Sequence, residues 1–68
     1  MITIVLNGSE KQVENNISVS QLLEELGLGE KRLAVEINQQ IIPRSSFADH
    51  TVSEKDNVEI VQAIGGGQ

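Results

Sequence analysis

The chain contains no cysteine, one histidine (His50), one aromatic residue (Phe47) and one proline (Pro43). Without cysteine there is no disulfide, and a single histidine leaves the usual sulfur and nitrogen ligand sets of a structural zinc site unfilled. A domain of 68 residues, which buries only about 60% of the surface its unfolded chain exposes, must then be held by apolar packing alone. One ring gives bases no stacking platform, and a formal net charge of −5 opposes a phosphate backbone, so no nucleic acid is expected as a partner. A basic protein surface suits this charge better. No apolar run approaches the roughly 20 residues that cross a bilayer, and the chain opens on a strand-like alternation instead of a basic segment with an apolar stretch behind it. The expectation is a soluble, cytoplasmic protein with no membrane partner. An enzyme is disfavoured too, because so small a body seldom encloses a small-molecule pocket of roughly 300–1,000 Å³.

What is present reads as alternating strands around one helix. Ile2, Ile4 and Leu6 share one strand face, with Thr3 and Val5 on the other. Asn7-Gly8 tolerates positive φ and is a strong hairpin signal, so residues 11–14 are expected to return antiparallel with Val13 toward the core. Asn15-Asn16 breaks the strand. Ser18 stands three residues before Gln21, which is capping-box spacing ahead of the apolar stripe Val19, Leu22, Leu23 and Leu26, and Gly27 can close the helix in a left-handed conformation. Leu33, Val35 and Ile37 mark a third strand. Asn38-Gln39-Gln40 turns the chain toward Ile41-Ile42, and Pro43 limits further pairing. Residues 45–50 form a short turn that inserts Phe47 into the core, and a last strand runs from Asn57 to about Ala63.

Hairpin, helix, strand, short strand and final strand in that order predict an α+β fold of the β-grasp type. One main helix covers one face of a mixed sheet of four to five strands, and the first and last strands are parallel neighbours at its centre. The other face stays open. Alternation places Thr3, Val5, Ala34, Glu36, Glu59, Val61 and Ala63 there, a less polar set than an idle solvent face requires. The folded body spans 1–64 and a glycine-rich tail spans 65–68.

Gly65-Gly66-Gly67 follows a strand directly, with no later element that needs it as a turn. Glycine lets an extended backbone thread a narrow channel and approach a nucleotide phosphate while the carbonyl stays open to attack. The plainer alternative is a frayed end; a β-grasp body favours the first reading. In this setting the chain resembles the ThiS sulfur carriers. The resemblance rests on Ile37-Asn38-Gln39-Gln40 with Ile41-Ile42-Pro43-Arg44, and on Val58-Glu59-Ile60-Val61 followed by Gly65-Gly66-Gly67, and it covers essentially the whole chain. A glycine pair ending a ubiquitin-like domain is common to ubiquitin and these carriers. The related molybdopterin carriers of the MoaD type usually have prolines just before that pair. Gln62-Ala63-Ile64 has none, which favours thiazole over molybdopterin.

The resemblance implies a protein cosubstrate without a catalytic residue or metal of its own. An E1-like adenylyltransferase (ThiF-type) would use ATP and magnesium to adenylate the terminal glycine. A sulfur donor such as a cysteine desulfurase would supply sulfur, and the resulting thiocarboxylate would serve a thiazole synthase (ThiG-type) in forming the thiazole of thiamine. The glycine to be activated is Gly67, after loss of Gln68, since carriers of this kind must finish at glycine. Three accounts of Gln68 are open: a processed extension, a remnant of how the chain was made, or a sign that this copy is not a carrier. The completeness of the match favours the first two. Val5, Val61, Ala63 and Ile64 are the expected partner-binding residues.

Other candidates weigh less. His50 has no chemical partner near it in sequence and reads as a turn or surface residue. Arg44 is expected in a local ion pair; Glu24, Glu25 and Glu30 make an acid-base set only on paper, and Glu24 and Glu25 read as the solvated face of the helix. Rival functions are a molybdopterin-type carrier, a ubiquitin-like modifier joined to target lysines, and a plain β-grasp binding module with an idle tail.

Overall fold

The computed structural model describes residues 1–62, and within them five strands form one mixed sheet crossed by a single α-helix. The first strand, β1 (Ile2–Leu6), turns through Asn7 (φ 48°) and Gly8 (φ 88°) into β2 (Ser9–Val13). Both turn residues are left-handed, as the two-residue hairpin demands. Pairing therefore begins at once, with Leu6 opposite Ser9 and Ile2 opposite Val13, so β2 starts two residues before the position read from the pattern.

Helix α1 (Val19–Glu25) has only seven residues, too few to be stable by propensity. Its ends and one apolar face hold it. The Ser18 hydroxyl accepts from the Gln21 N–H (3.1 Å) while the Gln21 side-chain oxygen accepts from the Ser18 N–H (2.9 Å), so the predicted capping box is complete. The next orphan donors find carbonyls in the segment after β4: Val19 N–H donates to His50 and Ser20 N–H to Phe47. At the other end Gly27 takes φ 75°, Gly27 N–H donates to Glu24 and Leu28 N–H to Leu23, a Schellman closure.

Strand β3 (Leu33–Ile37) turns through Asn38 and Gln39, both at positive φ, into β4 (Gln40–Ile42). Pro43 then leads into a 3-10 turn (Arg44–Ser46) that delivers Phe47 to the core. The last strand, β5 (Asn57–Gln62), lies between β1 and β3, parallel to the first and antiparallel to the second, giving the order β2-β1-β5-β3-β4. Residue 63, expected at the end of this strand, lies outside the described residues.

The core lies between helix and sheet. Ile4 and Val58 are fully buried on the central strands, and Val13, Val35, Ile37, Ile42 and Ile60 join them from the same sheet face. Val19, Leu22 and Leu23 cover them from the helix, with Ile17, Phe47 and Val52 closing the flanks. Alternation along the strands thus puts one side of each against the helix and leaves the other side bare. This is the β-grasp arrangement.

Candidate functional site

The bare sheet face is set by cross-strand register. Ala34 stands opposite Val61, and Glu36 stands opposite Glu59 on one side and Ile41 on the other. Val61 is 65% exposed and Ile41 71%. With Ala34 diagonal to Ile41, these three make an apolar patch at the end of the sheet from which β5 leads into the tail. Ile41 was not assigned to this face from sequence. The available signal was the two-residue turn Asn38-Gln39, which fixes Ile37 opposite Gln40 and so turns Ile41 outward and Ile42 inward.

Val5 occupies the same face at the far end. Its partner on β5 is Asn57, four residues before Val61, which at the usual strand rise is a separation of roughly 13 Å. Val5 is also half-buried. Among the described partner-binding candidates, then, Val61 belongs to the exposed patch near the tail, while Val5 stands apart from it. Ala63, Ile64, Gly65, Gly66, Gly67 and Gln68 lie outside the described residues.

The exit of β5 is held by an unusual clip. Val5 N–H donates to the Asp56 carbonyl and Asn7 N–H to that of Val58, both at 2.9 Å, and the backbone of β1 then turns away. The Asn7 side chain extends the ladder one step further. Its Oδ1 accepts from the Ile60 N–H at 2.8 Å, and its Nδ2 donates to the Ile60 carbonyl at 3.3 Å. Ile60 is thereby fixed one residue before Val61. At the opposite end, the Asp56 carboxylate accepts from Ser53 N–H and Asn38 Nδ2, while Asn38 Oδ1 accepts from Asn57 N–H. Both ends of the central strand are anchored by asparagine side chains.

The lesser candidates resolve into structural roles. His50 is half-buried in the turn, where its N–H donates to Ser46 and its carbonyl accepts from Val19. The guanidinium carbon of Arg44 lies 5.9 Å from the centroid of the Phe47 ring, an aromatic contact not read from the sequence. Glu24, Glu25 and Glu30 are exposed. Among the described residues no group of three or more His, Cys, Asp or Glu side chains is placed to hold a metal ion, and no helix is long and apolar enough to cross a membrane.

Comparison with known proteins decides the family. The model of the ThiS family matches residues 4–67, nearly the whole chain. The chain belongs to the ThiS family. It is 38% identical over 64 residues to the sulfur carrier protein ThiS of Escherichia coli strain K12, covering 94% of this chain and 97% of that protein. Its fold matches the crystal structure of a ThiS thiamine biosynthesis protein from Geobacter metallireducens with a TM-score of 0.82 at 29% identity, covering 97% of this chain and all of that one. It is also 44% identical over 64 residues to a thiazole synthase of Paramagnetospirillum magneticum, although the chain spans only about a fifth (20%) of that relative's length. The patch itself spans three neighbouring strands, with Val61 on β5, Ala34 on β3 and Ile41 on β4.

Proposed function

We propose that this chain is a sulfur carrier for thiazole formation in thiamine biosynthesis, acting as a protein cosubstrate and not as an enzyme. The observation that carries the reading is the family match itself, which runs through the three glycines and reaches Gly67. A free carboxylate is a poor electrophile. In the proposed cycle an E1-like adenylyltransferase, using ATP and magnesium, joins AMP to the Gly67 carboxylate and releases pyrophosphate. A persulfide on a cysteine desulfurase or similar donor then displaces AMP to give an acyl disulfide, and a second thiol cleaves it, releasing the thiocarboxylate while the two thiols end as a disulfide. The thiocarboxylate, a soft nucleophile, passes its sulfur to a thiazole synthase.

The last partner has support of its own, since proteins named thiazole synthase carry a segment similar to this chain. The patch of Ala34, Ile41 and Val61 is the proposed docking face for the activating enzyme, and Ala63 and Ile64, which follow in sequence, are proposed as further contacts. The absence of cysteine fits a role in which the persulfide belongs to a partner.

The test is to incubate a chain ending at Gly67 with the activating enzyme, ATP, magnesium and a sulfur donor, and to weigh the product. One oxygen-for-sulfur exchange at the terminus is the expected result. A product joined to lysines of other proteins would establish the modifier instead.

A further inference from the structure

Lys31, Arg32 and Arg44 are three of the five Lys and Arg residues of an acidic chain, and all three are exposed in one region of its surface. Two shallow depressions meet there. One lies between helix and sheet and includes Lys31, Arg44 and Phe47 in its lining; the other lies at the sheet end and is lined by Arg32, Leu33, Ala34, Arg44, Val61 and Gln62. Leu33 and Arg44 border both. The second depression brings Arg32 and Arg44 into one lining with the apolar Leu33, Ala34 and Val61, near the end of the described part of β5. Two residue pairs further along the ladder, on the same face, the sign reverses at Glu36 and Glu59.

From this arrangement we infer a cationic notch, built on Arg32 and Arg44, that receives a carboxylate-bearing side chain set beside an apolar one on the activating enzyme. The inference rests on the carrier reading and names the chemistry of the partner's surface. Charge complementarity selects the occupant: planar guanidinium groups match a carboxylate in two-point geometry, and the apolar lining takes the neighbouring side chain. Arg44 meets its target partly ordered. Its backbone starts the 3-10 turn and its head lies over the buried Phe47 ring, so less freedom is lost on docking than for a lysine on an open loop. The reversal at Glu36 and Glu59 fixes direction, because a partner docked the other way round would set its acid against theirs.

The notch is tested by titrating the activating enzyme with the wild-type chain, R32E, R44E, and the control K55E, which reverses a cation in the turn before β5. Thermal melts of each variant establish that it is folded; R32E, on an exposed side chain without a described core contact, keeps the test valid should R44E disturb Phe47. Each notch reversal is expected to weaken binding by roughly tenfold or more and to flatten its dependence on salt, while K55E changes it by about twofold or less. Wild-type binding with equal effects from notch and control reversals overturns the notch and leaves the carrier reading standing. A wild-type chain that binds no activating enzyme overturns both. Self-association of the chain that R32E abolishes assigns the notch to a second copy and overturns the partner named here.

Discussion

The side-chain amide of Asn7 is bonded at both ends to the backbone of a single residue, Ile60, donating to its carbonyl and accepting from its N–H. Asn7 itself sits at φ 48° as the first residue of the hairpin turn. One side chain thus satisfies a turn and extends the parallel ladder between the first and last strands. Replacing it tests both duties. Asn7→Gly keeps the backbone permissive and removes the clip, so a loss of about 1–3 kcal/mol is expected from partly buried groups left unpaired. Asn7→Ala adds the left-handed penalty of about 1–2 kcal/mol and should melt lower still. Equal unfolding midpoints for wild type and Asn7→Gly would remove the clip from the account of stability.

Gln39 carries the reverse case. It occupies the second position of the β3–β4 turn at φ 71°, a conformation that suits glycine better than glutamine. Gln39→Gly should raise stability, by up to about 1 kcal/mol after the entropy cost of glycine is subtracted from the relieved strain. Urea unfolding reads this directly, and a lower midpoint for the variant would contradict it.

The exposed patch predicts a ranking at the docking face. Val61→Asp and Ile41→Asp should each weaken the complex with the activating enzyme by roughly tenfold or more, as expected when a charge enters an apolar contact. Glu24→Ala, on the helix side of the body, should change it little. Val5→Asp separates two accounts, since Val5 shares the face but not the patch. A patch confined to the tail end predicts a weaker effect from Val5 than from Val61, once both variants are shown to be folded.

The terminal residues predict a sharp chemical difference. Adenylation needs a free carboxylate on the residue the active site holds, and Gln68 would place its bulk and its carboxylate one residue beyond the glycines. The 68-residue form should accept no sulfur, whereas the form ending at Gly67 should be converted; mass spectrometry of both products decides. Sulfur found on Gln68 would refute the steric argument. Removing residues 65–68 should abolish transfer while leaving the melting temperature unchanged, because these glycines bring no apolar side chain to the core.

Much of this was legible in the sequence because local chemistry and the global pattern agree. Ser18 with Gln21, Gly27, and Asn7-Gly8 each announced an end or a turn, and alternation in β1, β3 and β5 told the buried face from the bare one. Their placement after the last strand singled out the glycines, and the resemblance to ThiS carriers supplied the role proposed for them. What escaped was relational. A turn asparagine explains itself, so nothing in the string disclosed that the Asn7 side chain also reaches Ile60, 53 positions away. Two adjacent isoleucines do not declare which faces inward until a register is known, and so Ile41 went unassigned. Val5 and Val61 share a parity but not a neighbourhood, because parity gives the face and only strand offset gives the distance. Arg44 was read for a local ion pair, and its contact with the Phe47 ring depends on a turn whose path the string does not disclose.

The sheet order has a further consequence for how a finished carrier is told from an unfinished one. Its central strand, β5, is the last of the five to be synthesised, and until it is laid down the chain holds two separate hairpins joined by a two-turn helix. Such ribbons have little stability alone. Ala34 and Val61 become neighbours only when β5 joins β3, and the Asn7 clip closes only when β5 joins β1. Were the activating enzyme to dock on Ala34 and Val61 as proposed, a nascent or damaged chain would lack that surface, and activation by way of it would report that folding is complete.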